Sequence, residues 1–77
     1  MEEELRQIIA KIAETVPDFS ADADLREDLD VDSHRAVELV FEIERVFEIK
    51  IPVARFDELR SLNKAVKLVA SLKSGGK

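Results

Sequence analysis

Cysteine is absent from this chain and histidine occurs once. Disulfide bridges and thiolate zinc sites are therefore excluded, and a lone imidazole cannot build the usual histidine clusters of metal centres. No apolar run exceeds a few residues, so no segment can span a bilayer. Strict apolar-polar alternation and the turn dipeptides of hairpins are also missing, which leaves an all-α chain. No basic cluster is interleaved with aromatics, and the net charge is -5 with a pI of about 4.8. That combination argues against nucleic acid and against anionic membranes as partners.

At 77 residues the chain is one domain, near the size at which a single core is barely sufficient. Most apolar side chains are committed to packing, and few remain to wall a deep catalytic pocket. Charge is uneven along the chain. Residues 1–32 hold 11 acids and 3 bases, residues 33–52 hold 4 and 3, and residues 53–77 hold 2 and 6. Such a gradient reports solvated faces and attraction between the ends of a small domain, and it leaves room for a partner that reads sign. Met1 is followed by Glu2, Glu3 and Glu4, opposite in sign to a signal or transit peptide, which points to the cytoplasm.

Leu5, Ile8, Ile9, Ile12, Ala13 and Val16 recur at spacings of three and four, predicting an amphipathic helix over Glu2–Val16 that Pro17 ends. Residues 18–32 form a long acidic connection in which Leu25 and Leu29 sit one helical turn apart. A single turn capped by Ser20, Asp22 or Asp24 would pin it to the core. A second helix runs to Phe47 or Glu48, capped by Ser33 or Asp32. Its core stripe comprises Ala36, Leu39, Val40, Ile43, Val46 and Phe47. A short helical segment follows over Val53–Leu59 with Phe56 and Leu59 inward. Ser61 then caps a last helix that buries Leu62, Ala65, Val66, Val69 and Leu72. The expected fold is a small four-helix bundle of three long helices and one short one. The domain proper covers 1–73, and 74–77, having nothing to pack, form a disordered tail.

Around the start of the second helix three readings compete. Asp28, Asp30 and Asp32 alternate as in a calcium loop, yet the sixth and twelfth places hold Ser33 and Leu39 where glycine and a bidentate glutamate are required. No metal site follows. Ser33 and His34 are adjacent, but neighbours on a helix diverge by about 100° and no glycine elbow surrounds the serine, so nucleophilic catalysis is not supported. Ser33 serves either as an ordinary cap or as an exposed hydroxyl at a helix N-terminus, whose unpaired N–H groups and partial positive charge suit a phosphate. Val37 and Phe41 lie nearly opposite the core stripe, with His34, Glu44 and Glu48. They are either scattered surface hydrophobes or the apolar centre of a charged docking face.

The run DLDVDS at 28–33, followed by AVELVFEIERVFEIKIP at 36–52, resembles the acyl carrier protein family. The likeness covers nearly the whole chain. It implies that Ser33 is esterified by a 4'-phosphopantetheine arm taken from coenzyme A, whose terminal thiol carries acyl groups as thioesters. It implies a carrier without catalysis of its own, serving fatty acid, lipid or polyketide biosynthesis. Its partners would be a phosphopantetheinyl transferase and acyl-transferring or acyl-modifying enzymes, gripping His34, Arg35, Val37, Glu38, Phe41, Glu44 and Arg45, and the protein would be a monomer. Leu39, Ile43, Phe47, Ile51, Phe56, Leu59, Val66 and Val69 would form the core able to line an acyl pocket. Three departures stand out: Asp30 where the family usually has glycine, His34 and Arg35 where it has leucine and often an acid, and Val53, Ala54 and Arg55 where the short helix is usually acidic. They suggest a specialised carrier. An aminoacyl or peptidyl carrier, and an unmodified helical adaptor presenting Val37 and Phe41, are the alternatives.

Overall fold

Apolar residues at helical spacing draw three amphipathic helices around one core in the computed structural model, which describes residues 1–74. They are α1 (Glu2–Ala13), α2 (Ser33–Phe47) and α3 (Leu62–Ser74), with a 3₁₀ helix over Val53–Glu58 between the last two. There is no strand among the described residues. α1 packs against both α2 and α3, and the 3₁₀ helix leans on α3. The core takes Leu5, Ile8 and Ile9 from α1, Leu39, Val40, Ile43 and Phe47 from α2, and Leu62, Ala65, Leu68 and Val69 from α3. Ile51 and Leu59, which flank the 3₁₀ helix, complete it with Leu25 and Val31 from the long connection.

Helix α1 stops three residues before its expected end. Glu14 turns into the left-handed region at φ 58°, its N–H reaches the Lys11 carbonyl, and the Thr15 N–H reaches that of Ala10. These bonds form a Schellman closure. Pro17 disfavours the helical region for Val16, so the chain leaves the helix early and Val16 is 62% exposed instead of buried. Arg6 fastens the departing chain. Its guanidinium donates to the carbonyls of Pro17, at 2.9 Å, and Phe19, and lies 4.9 Å from the centre of the Phe19 ring.

The long connection makes the anticipated single turn, and of the three candidate caps Asp24 serves. Its Oδ1 accepts the N–H groups of Arg26 and Glu27 at 2.9 Å, and its Oδ2 accepts from Arg60 at 2.7 Å. The Leu25 N–H donates to the Arg60 carbonyl at 2.8 Å, which holds Leu25 in the core. Ser61 Oγ accepts the Lys64 N–H at 3.2 Å, as its capping role requires.

Several side chains fall differently from expectation, Ala36 and Leu72 being only half-buried. Val46 is 39% exposed, because α2 buries the flank carrying Val40 and Phe47 and turns the opposite flank outward. On α3 the buried arc is rotated toward Leu68, which is fully buried, and away from Val66, which is half-buried. Ser74 belongs to α3 instead of to a tail, and residues 75–77 lie outside the described residues.

Phe47 is 7% exposed at the end of α2, so Phe47→Ala should cost about 3–5 kcal/mol by chemical denaturation. An unchanged denaturation midpoint would remove it from the core. The Glu27 N–H, then Arg60, holds the Asp24 carboxyl below its ordinary range. A depressed folded-state value means that its contribution is complete above the unfolded value of about 3.9 and is lost as pH falls through the folded one. Asp24→Asn should therefore melt below the parent at neutral pH, with the gap narrowing under acid. A gap independent of pH would contradict this linkage.

Candidate functional site

An acidic residue immediately before α2 decides the state of the serine. Asp32 has extended backbone and is the N-cap: its Oδ1 accepts the Arg35 N–H at 2.9 Å. Ser33 is thereby the first helical residue, exposed, and its hydroxyl is not needed to cap its own helix. Asp30 reaches φ 61°, a left-handed turn normally given to glycine but tolerated by aspartate, so the chain still bends sharply before the serine.

The neighbouring charged groups divide into two kinds. His34 is exposed, with Nε2 3.4 Å from Glu38 Oε2, and so faces along the helix instead of toward Ser33. Arg35 turns back to α1, donating to the Ile12 carbonyl at 2.9 Å and pairing with Glu14 at 3.5 Å. It thus satisfies one of the open carbonyls at the end of α1 and ties that end to the start of α2. Glu44 is half-buried and accepts the Ile51 N–H at 2.8 Å. Arg45 pairs with Glu42 and, ahead of the more distant Lys11, holds the Glu42 carboxyl below its ordinary range.

On the outer side of α2, Val37 is 42% and Phe41 63% exposed. Glu38 and Arg45 are exposed beside them. Of the residues expected on a docking face, His34, Val37, Glu38, Phe41 and Arg45 are presented to solvent, while Glu44 and Arg35 are partly spent on internal bonds.

A cleft of about 260 Å³ opens beside the serine, lined by Ser33, Ala36, Val37, Val40 and Phe56, with Arg26 and Asp57. A second, of about 430 Å³, is lined by Leu25, Val31, Ala36, Leu39, Phe56 and Leu59 with charged groups at its edge, and shares Ala36, Phe56, Arg26 and Asp57 with the first. Of the residues expected to line an acyl pocket, Leu39, Phe56 and Leu59 meet here. Ile43, Phe47, Ile51 and Val69 are packed in the core, and Val66 borders a groove near Lys64 and Lys67. The sequence reading missed Arg26, Ala36, Val40 and Asp57 as cleft residues. Only Arg26 left a trace there, as the one base between Lys11 and His34.

This arrangement fits a phosphate-linked arm. The hydroxyl is accessible, the positive end of α2 favours an anion, and an adjoining cleft has apolar walls. No three histidine, cysteine, aspartate or glutamate side chains among the described residues gather as a metal site, the Asp28, Asp30 and Asp32 run included.

Known proteins resemble the chain in the same sense. The family model described as a phosphopantetheine attachment site matches residues 3–69. "Polyketide-8 synthase acyl carrier protein 2" of Streptomyces avermitilis is 33% identical over 70 residues, which cover 90% of this chain and 80% of that protein. An acyl carrier protein of Amoebophilus asiaticus is 36% identical over 59 residues, 77% of this chain and 74% of the relative. A mitochondrial acyl carrier protein of Saccharomyces cerevisiae is 44% identical over 53 residues, 69% of this chain and 42% of its own length. With the helical bundle and the exposed serine at the head of α2, these matches place the chain in the acyl carrier protein family, whose cofactor is a covalently bound 4'-phosphopantetheine.

Proposed function

We propose that Ser33 is the attachment residue and that the protein is a non-catalytic carrier of acyl thioesters. The observation that carries this reading is the division of labour at the head of α2: Asp32 caps the helix, and the exposed Ser33 hydroxyl is left available to another protein. A phosphopantetheinyl transferase would join the Ser33 oxygen to phosphorus while the phosphoanhydride bond of coenzyme A breaks, adenosine 3',5'-bisphosphate leaves and the hydroxyl proton passes to a base on the transferase. When bound, the group supplies a long flexible thiol that bears the acyl cargo. The chain's own residues orient the attachment point, offer an apolar cleft beside it and present a surface for partners.

That surface centres on Val37 and Phe41, rimmed by His34, Glu38, Glu44 and Arg45, with Arg35 at its edge. Large apolar side chains inside a charged rim are what a transient interface needs for both grip and selection. Its sign is mixed. Arg55 on the 3₁₀ helix is held by Glu58 through two bonds of 2.9 and 3.0 Å, so one carboxylate of that short helix is neutralised. The reading is therefore a specialised carrier, a cytoplasmic monomer serving enzymes of fatty acid, lipid or polyketide synthesis. The Streptomyces relative gives the polyketide branch its support.

Incubation with coenzyme A and a promiscuous transferase should add one phosphopantetheine mass to the intact protein and none to Ser33→Ala. A folded parent that gains no mass, or a serine variant that still gains it, refutes the assignment. Phe41→Ala should leave stability within about 0.5 kcal/mol while lowering kcat/KM for loading by about 30-fold, as expected for loss of roughly 2 kcal/mol at an aromatic anchor. Unaltered loading would assign that face no part in recognising the transferase. Housekeeping ketoacyl and transacylase enzymes should handle the loaded protein less well than an ordinary carrier. Equal rates would end the idea of specialised partners.

A further inference from the structure

Arg26 stands alone in an acidic segment. Between Lys11 and His34 the chain carries eight carboxylates and this single base. Its backbone N–H is fixed by the Asp24 carboxylate at 2.9 Å, which sets where the side chain begins. The other arginines are engaged: Arg6 with Glu2, Arg35 with Glu14, Arg45 with Glu42, Arg55 with Glu58 and Arg60 with Asp24. The Arg26 guanidinium enters none of the ion pairs among the described residues, although carboxylates surround it in sequence. Instead Arg26 lines the same cleft as Ser33.

Guanidinium presents a planar fork of donors that matches two oxygens of a phosphate, and such charge-assisted pairs are short and directional. The N–H groups that open α2 add positive potential at the same serine. Resting on the assignment of Ser33 as the attachment residue, we infer that Arg26 holds the phosphodiester of the arm and lays its first segment along the apolar wall of Val37, Val40 and Phe56. Arg26 is then a positioning residue. It sets the direction in which the thiol leaves the protein and does no chemistry. Asp57 borders the same cleft and opposes the anion. No ion pair among the described residues joins it to Arg26, so it competes for the guanidinium without occupying it.

The test uses the loaded, full-length protein. Phosphorus NMR is recorded on the parent, Arg26→Ala, Arg26→Lys and Asp57→Asn, together with the Arg26 side-chain Nε–H resonance before and after loading. In the parent the Nε–H resonance should shift on loading, and the phosphodiester signal should be displaced from its position in the same loaded protein unfolded by denaturant. Arg26→Ala should move the phosphorus signal toward that unfolded-protein position at an unchanged melting temperature. Arg26→Lys should fall between, since the charge remains and the fork is lost, and Asp57→Asn should keep or strengthen the parental signal. Salt at about 1 M, where the screening length is about 3 Å, should move the parent toward Arg26→Ala. Complete loading with the same phosphorus signal in the parent and Arg26→Ala overturns this inference alone. Failure of the folded parent to load overturns it together with the Ser33 assignment.

Discussion

One hydrogen bond frees the rest of the site to operate: the Asp32 carboxylate accepting the Arg35 N–H at the head of α2. A helix needs partners for its first N–H groups, and a serine in that place would ordinarily be enlisted as one. Because aspartate takes the duty, the hydroxyl one residue later faces solvent at the positive end of the helix dipole. The same bond fixes the backbone of Arg35, whose side chain then reaches α1. Accessibility of the Ser33 hydroxyl and rigidity of its platform come from one carboxylate.

The connection leading to that platform has little regular structure, and specific bonds hold it in place of a helix. Arg6 binds the carbonyls of Pro17 and Phe19, Asp24 caps a single turn, and the Leu25 N–H meets the Arg60 carbonyl. Val31, 3% exposed, anchors the last stretch before Asp32. Two buried apolar side chains and a handful of backbone bonds thus deliver Ser33 to a defined place on a bundle too small to spare a further helix.

Much of this was legible in residue order, because the helices obey periodicity and the caps obey chemistry. The stripe Leu39, Val40, Ile43 and Phe47, the outer pair Val37 and Phe41, and the Ser61 cap lie where spacing puts them. What escaped depends on groups distant along the chain. The early end of α1 has a local cause in Pro17, but the left-handed Glu14 and the Ile12 carbonyl taken by Arg35, more than twenty residues away, are not set by spacing within the helix. Leu68 is buried although spacing alone ranks Val66 beside it: at about 100° per residue it lies next to Leu72 and Ala65, at the edge of the apolar arc that the bundle covers. Between Asp32 and Ser33 the sequence left the cap open, since both residues are good acceptors. Asp30 shows the reverse case: a residue that is not glycine still makes the left-handed turn, with backbone tolerance taking the place of the usual sequence signal.

Under the proposed function, Glu44 would link recognition to the interior. Its carboxylate stands on the rim of the outer face, and yet it is also the acceptor for the Ile51 amide where the chain leaves α2 for the 3₁₀ helix. That helix carries Phe56, which walls both clefts. On the proposed reading, a cation on a visiting enzyme that drew Glu44 outward would strand the Ile51 amide and loosen the turn that leads to Phe56, so that docking and opening of the clefts would be coupled.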